Sequence, residues 1–231
     1  MSEHFIVTGA AGLIGSNLAA ALNQRGIENI TVVDHLNHPA KQVNLDRLRF
    51  ARYLDRADFR AQLRSGKLEK AAGVFHLGAC SSTTETDNSY LQDNNLRYTQ
   101  ELCEWSLNCG ARFVYASSAA TYGDGELGYD DDEALMPRLK PLNLYGQSKQ
   151  DFDLWALGNG RLGKIAGLKY FNVYGPGEDH KGSMRSMINK AYAQIKEKGE
   201  MGLFKSYHLE YKDGESLRDF LHVFDAAKAT L

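Results

Sequence analysis

Eight residues near the start, TGAAGLIG at 8–15, constrain this chain more than any other stretch. They close a short apolar run, HFIVTG, and open LIGSNLAAALNQRG, whose apolar residues recur at helical spacing until Gly26. A strand that becomes a helix through Gly9, Gly12 and Gly15 has three uses for residues without a Cβ. One is a tight bend, one is close approach of the backbone to a pyrophosphate, and one is close packing of helix on sheet. The helix N-terminus adds unpaired N–H groups and a partial positive charge. A second strand, NITVVD, ends in Asp34, about 20 residues on, where a ribose-binding acid belongs. A dinucleotide site follows from the combination.

The rest of the chain extends this start. GVFHLGA (73–79) and ARFVYASS (111–118) read as further apolar strands, separated by a helical stretch around NNLRYTQELCEWSL. A strand near RLRFARYL with a helix after it is the weakest reading, within a charged, mixed segment at 44–70. A helix spans about 145–157, and KIAGLKYFNVYG (164–175) reads as one more strand. Strand and helix alternate without hairpin signals, which predicts an α/β fold, a Rossmann-type doubly wound parallel sheet. From Asn172 the pattern breaks into loops and an amphipathic helix at roughly 184–198, and LRDFLHVFDAAKATL resumes strand-then-helix character. We therefore expect a nucleotide-binding unit of residues 1–170 rejoined by 218–231. Residues 171–217 are expected to form a smaller, incomplete substrate lobe. The chain ends at Leu231 within the opening turns of a helix, without a cap, and is read as a shortened version of a longer chain.

The 231 residues suffice for one large domain or one and part of another. A formal charge of −2 gives no case for nucleic acid or an anionic membrane, and no apolar run approaches a spanning helix. Cys80, Cys103 and Cys109 form no CxxC pair, so neither a disulfide framework nor a metal site is expected, and a cytoplasmic setting is.

YGQSK places Tyr145 and Lys149 on one helical face. A free tyrosine, with a pKa near ~10, is a poor base at neutral pH, and a neighbouring ammonium favours its phenolate. Ser118, at the end of the preceding strand, can hydrogen-bond the same substrate oxygen. With the nucleotide turn, the trio is specific for redox chemistry between a carbinol and a carbonyl. In EDHKGSM (178–184), Lys181 reads on residue type alone as a solvated loop charge, and His180 as a polar loop residue. Asp34 suits the ribose of NAD, whereas Lys41 and Arg56 suit the 2′-phosphate of NADP or are surface charges.

TGAAGLIG, SSAATYG and YGQSK together resemble the extended short-chain dehydrogenase/reductase family, the nucleotide-sugar epimerases and dehydratases. GACSSTTETD, DNN, PLNLYGQSK and KYFNVYGPGEDHKGSM narrow the resemblance to the branch acting on C6 of an ADP-linked heptose, which serves lipopolysaccharide biosynthesis. The match spans essentially the whole chain, most weakly at 44–70. It implies NADP as the cofactor in preference to NAD, transient oxidation of C6 to a ketone, and return of hydride to the opposite face. It also implies two acid/base groups, Tyr145 and Lys181, with Ser118 and Lys149 beside the tyrosine. Cofactor contacts are implied at Leu13, Ile14, Asp34, His35, Lys41 and Arg56. The LGACS loop (Leu77, Gly78, Ala79, Cys80, Ser81), Asn94, Lys149 and Val173 complete that set. Substrate contacts are implied at Ser118, Asn172, Ser183, Phe204 and Arg218, with Lys190 where the family has a histidine. Arg52 stands where the family often has an acidic residue. A homo-oligomer, a pentamer, is implied as well. The rival expectations are an epimerase or dehydratase of a UDP-sugar, and a non-catalytic NADP-binding protein.

Overall fold

The computed structural model describes residues 3–207 and 211–231. Its first half alternates strand and helix: β1 (Phe5–Thr8), α1 (Leu13–Gln24), β2 (Ile30–Asp34), α2 (Pro39–Asp46), β3 (Arg52–Asp55), α3 (Arg56–Arg64) and β4 (Gly73–His76). α4 (Asn88–Leu91) then runs through a π-helical turn (Gln92–Arg97) into α5 (Tyr98–Cys109). β5 (Arg112–Ser118), α6 (Leu144–Gly158) and β6 (Ile165–Tyr170) complete a six-stranded, wholly parallel sheet of order β3-β2-β1-β4-β5-β6. This is the doubly wound order, with its reversal between β1 and β4.

Both faces of such a sheet must be covered, and the two-residue period of a strand decides which side chain goes where. Ile6, Val33 and Val74 join one core cluster with Phe59 and Leu63 of α3, Tyr98 and Leu102 of α5, and Phe152 of α6. Their strand neighbours Val7, Val32 and Phe75 join the other, with Leu18 and Leu22 of α1, Leu45 of α2 and Ala227. Ala227 lies on α8 (Val223–Thr230), which packs against α1. Fully buried side chains on both faces explain why the strands read as continuous apolar runs.

Three expectations need correction. The segment 164–175 is two strands, because β6 loses its partner when β5 ends: Ser118 pairs with Tyr170, and the chain then departs. β7 (Asn172–Tyr174) instead pairs in parallel with β8 (Phe220–His222) in a separate two-stranded sheet. The charged segment before β3 holds an unforeseen helix, α2, whose first turn is set by Pro39 and by the His38 side chain accepting from the Ala40 N–H. The amphipathic helix α7 (Met187–Lys198) begins after Ser186, whose side chain caps it, and Asp179–Met184 form a 3₁₀ turn before it. Among the described residues no helix is long and apolar enough to cross a membrane.

Candidate functional site

The glycine-rich turn joins β1 to α1 at the point of strand-order reversal. Gly9 has φ +67°, and a Cβ there would lie 2.7 Å from the Gly78 nitrogen, so the loop after β4 packs directly on it. A Cβ on Gly15 would collide with the Gly9 carbonyl. The Thr8 hydroxyl accepts from Gly78 N–H at 3.1 Å and pairs with His76 Nδ1 at 2.7 Å. His76 is buried, with its pKa pushed down to about 3 by that burial, so it serves this contact as a neutral ring.

A cavity of about 640 Å³ opens beyond the carboxyl ends of the strands. Gly9, Gly12, Leu13, Ile14 and Gly15 line it from the turn, and Leu77, Gly78, Ala79, Cys80 and Ser81 from the loop after β4. Asp34, His35, Lys41, Arg56 and Asn94 line one end, and Ser118, Tyr145, Lys149, Val173 and Lys181 complete it. The residues expected at the cofactor and the four catalytic candidates thus share one cavity. Asn172, Ser183, Lys190, Phe204 and Arg218 are absent from its lining. Asn172 is exposed and bonds the Asp219 carbonyl, Arg218 bonds the Leu217 carbonyl, and Phe204 is 64% exposed. Arg52 lies outside the lining too, exposed and reaching Gln62.

At the Asp34 end the carboxylate is already engaged. Oδ2 accepts from Ala11 N–H at 2.9 Å, and Oδ1 from His35 N–H at 2.7 Å and from Lys41 Nζ at 2.8 Å. Its charge is therefore paired within the protein. Lys41, His35 and Arg56 add cationic or protonatable groups around it. Arg56 donates to Asn94 Oδ1 at 2.6 Å, and Asn94 donates to Asn95 at 2.9 Å. Asn95 then clamps Cys80 at both its N–H and its carbonyl, and donates to Ser148 Oγ at 3.0 Å. These asparagines sit on the π-helical turn, a distortion that recurs at functional sites. Asn95 and Ser148 connect the loop after β4 to the helix carrying Tyr145.

α6 starts under an Asn143 cap, which accepts from Gly146 N–H at 2.8 Å. It is anchored by buried Asp153, which accepts from Tyr115, Ser117 and Lys169 at 2.8, 2.7 and 2.9 Å. Burial raises the pKa of Tyr145, and a hydrogen bond with Ser118 opposes the rise. The lowering expected from Lys149 is not the direction found, because burial sets the shift upward. Lys149 Nζ donates to the Ala116 carbonyl at 2.8 Å, and burial brings its own pKa down to about 8. Lys181 is likewise lowered by burial, with Glu178 opposing.

The donor set fits a dinucleotide. Among the described residues, Tyr98 Oη and His180 Nδ1 are buried without a hydrogen-bond partner, and both residues line this cavity. Each is a polar group that a bound molecule would satisfy. Sequence reasoning gave His180 no role and passed over Tyr98, since one orphaned atom leaves no trace in a pattern. His180 does adjoin Lys181, the one signal available. No cluster of His, Cys, Asp and Glu suited to a metal occurs among the described residues.

Comparison with known proteins agrees with this geometry. An ADP-L-glycero-D-manno-heptose-6-epimerase from Nitratidesulfovibrio vulgaris is 55% identical over 225 residues, covering 97% of this chain and 70% of the relative. One from Fusobacterium nucleatum is 46% identical over 224 residues, covering 95% of this chain and 68% of the relative. The crystal structure of the Helicobacter pylori ADP-L-glycero-D-manno-heptose-6-epimerase superposes with a TM-score of 0.82 at 27% identity, covering 99% of this chain and 71% of that one. The family model described as NAD dependent epimerase/dehydratase matches residues 5–231. With its glycine turn, strand order and shared cavity, the chain belongs to the NAD dependent epimerase/dehydratase family.

Proposed function

We propose that this chain interconverts ADP-D-glycero-D-manno-heptose and ADP-L-glycero-D-manno-heptose by inverting C6, with NADP as its cofactor. The observation that carries the reading is the convergence of Tyr145, from α6, and Lys181, from the loop before α7, on the cavity that the glycine turn lines. A bound nicotinamide dinucleotide supplies reversible two-electron chemistry at C6. The protein's part is to manage the C6 oxygen's proton from two sides. Burial moves the two groups in opposite senses, holding the proton on Tyr145 and loosening it from Lys181. Lys181 Nζ takes the proton from a C6 hydroxyl presented to it, and Tyr145 Oη gives one to the C6 oxygen once the ketone has turned. The reverse direction exchanges the two roles. Ser118 Oγ hydrogen-bonds that oxygen on the tyrosine side, and the Lys149 ammonium favours the phenolate whenever Tyr145 gives up its proton.

Preference for NADP is supported by Lys41, His35 and Arg56 around the adenosine end, where a 2′-phosphate gains charge-assisted bonds. Asp34, already paired with Lys41, leaves little repulsion against it. We assign residues 1–170 with 218–231 to the nucleotide-binding unit and 171–217 to a substrate lobe, and expect a cytoplasmic homo-oligomer. The test is to incubate the protein with each ADP-heptose epimer and, in parallel, with UDP-galactose, resolving products by anion-exchange chromatography. Equilibration of the heptose pair alone supports the reading. Turnover of the UDP-sugar alone would replace it with the rival epimerase, and turnover of neither with a binding protein.

A further inference from the structure

We infer that Asn17 and Asn44 are positioning residues for Lys181, because their side chains bridge the glycine-rich turn and the loop that carries it. The inference rests on the role proposed above for Lys181. Asn17, on α1, donates from Nδ2 to the Leu13 carbonyl at 2.8 Å and to the Pro176 carbonyl at 2.9 Å. Asn44, on α2, donates from Nδ2 to the Ala11 carbonyl at 3.0 Å and to the Gly177 carbonyl at 3.1 Å. An amide NH₂ has two hydrogens. In both residues one goes to the turn that faces the cofactor's phosphates and the other to the loop. Both side chains are buried, so neither bond has water as a ready substitute.

A neighbouring contact fixes the amide of Asn17 in this sense. Arg47 donates to Asn17 Oδ1 at 3.2 Å, which turns the NH₂ of Asn17 toward the two carbonyls. Gly177 has φ +104°, and a Cβ there would lie 3.2 Å from Asn44 Oδ1, so the loop seats directly on that amide. Glu178, buried one residue later, accepts from Gly175 N–H, Ser186 N–H and Ser186 Oγ. Glu178 therefore sets the loop's internal shape, and the asparagines set where that shape sits. Lys181 follows within four residues of Gly177. Lys181 lines the cavity from a loop whose seat on α1 and α2 is set by these two amides. Because the same turn carries the phosphate-facing backbone, cofactor binding and loop placement are coupled, and the coupling is reciprocal.

The experiment combines hydrogen exchange with a double-mutant cycle. In Asn17→Ala and in Asn44→Ala, amides of residues 175–186 should exchange about tenfold faster, with β1 and α5 unchanged, as expected when only a local unit opens. NADP should slow exchange of 175–186 in the unmutated protein and do so much less in the variants. Epimerisation should fall about tenfold in each, yet change by less than about threefold when the same substitution is made in Lys181→Met, since residues acting as one unit are non-additive. Equal losses in both backgrounds would assign the asparagines a merely structural role, and unchanged exchange at 175–186 would refute the bridge itself. If Lys181→Met alone epimerises at the unmutated rate, the proposed role of Lys181 fails and the positioning inference falls with it. The exchange data still decide whether the bridge exists.

Discussion

Replacing Lys149 by Met should stabilise the protein while removing its activity. The ammonium is buried, and burial holds its pKa at about 8 against an ordinary 10.5. At about 1.36 kcal/mol per pH unit, keeping that charge inside the folded chain at pH 7 costs about 3 kcal/mol. Methionine fills a similar volume and has no charge to desolvate. It also loses the hydrogen bond to the Ala116 carbonyl, which takes back about 1 kcal/mol. The net gain of about 2 kcal/mol corresponds to a rise in Tm of roughly 4–8 °C for a chain of this length.

The sign of the pH dependence makes the test specific. Folding depresses this pKa, so between about 8 and 10.5 the unfolded chain binds more protons than the folded one. Stability of the unmutated protein therefore rises with pH through that window, and is lost as pH falls through 8. The variant has no such titration. Its advantage should shrink from about 2 kcal/mol at pH 7 to near zero at pH 9.5 in urea unfolding curves of the cofactor-free proteins. A variant no more stable at pH 7, with a gap that stays constant to pH 9.5, would show that Lys149 pays no desolvation penalty.

Other outcomes follow from the same geometry. Tyr145→Phe and Lys181→Met should each retain the fold and bound NADP, by circular dichroism and by nucleotide released on denaturation, while epimerisation falls about 10²–10⁴-fold. A Lys181→Met rate near the unmutated one would return that residue to a solvated loop charge. Lys41→Met should weaken NADP roughly 10–100-fold and NAD by less than about threefold in calorimetric titrations, the range of a bond to a charged group. Parallel losses would remove Lys41 as the discriminator. Asp153→Ala strands Lys169 together with the Tyr115 and Ser117 hydroxyls, and should destabilise by about 3–5 kcal/mol in urea unfolding. A loss under about 1 kcal/mol would mean that water replaces the carboxylate.

How legible each part was depends on how local its cause is. β1, the glycine turn and α1 declare themselves because strand burial, bend and helix start are all written within about 20 residues. The break at Phe171 is invisible in KIAGLKYFNVYG because it depends on where β5 ends and on a partner, β8, some fifty residues later. α2 hides because its one exposed apolar residue, Val43, and its buried Leu45 make no stripe. Pro39 at its first turn is the one local signal the sequence carries. The spacing of Tyr145 and Lys149 was readable, but their protonation was not. That balance is set by burial, and PLNLYGQSK does not encode how deep its helix will lie.

The two groups proposed as acid and base are held by different means, and this predicts how each half of the site fails. Tyr145 stands on α6, which Asp153 ties to β5 and β6 inside the core. Displacing it means disturbing a buried ion pair, at a cost to the stability of the whole fold. Lys181 stands on a loop that Glu178 shapes from within and that Asn17 and Asn44 tie to the sheet's first helices through two carbonyls. Each tie is one neutral hydrogen bond, about 1 kcal/mol net, so the loop can shift while the core remains intact. A site built this way keeps the tyrosine fixed relative to the cofactor turn. It leaves the lysine as the side that can give way when a sugar must enter and turn.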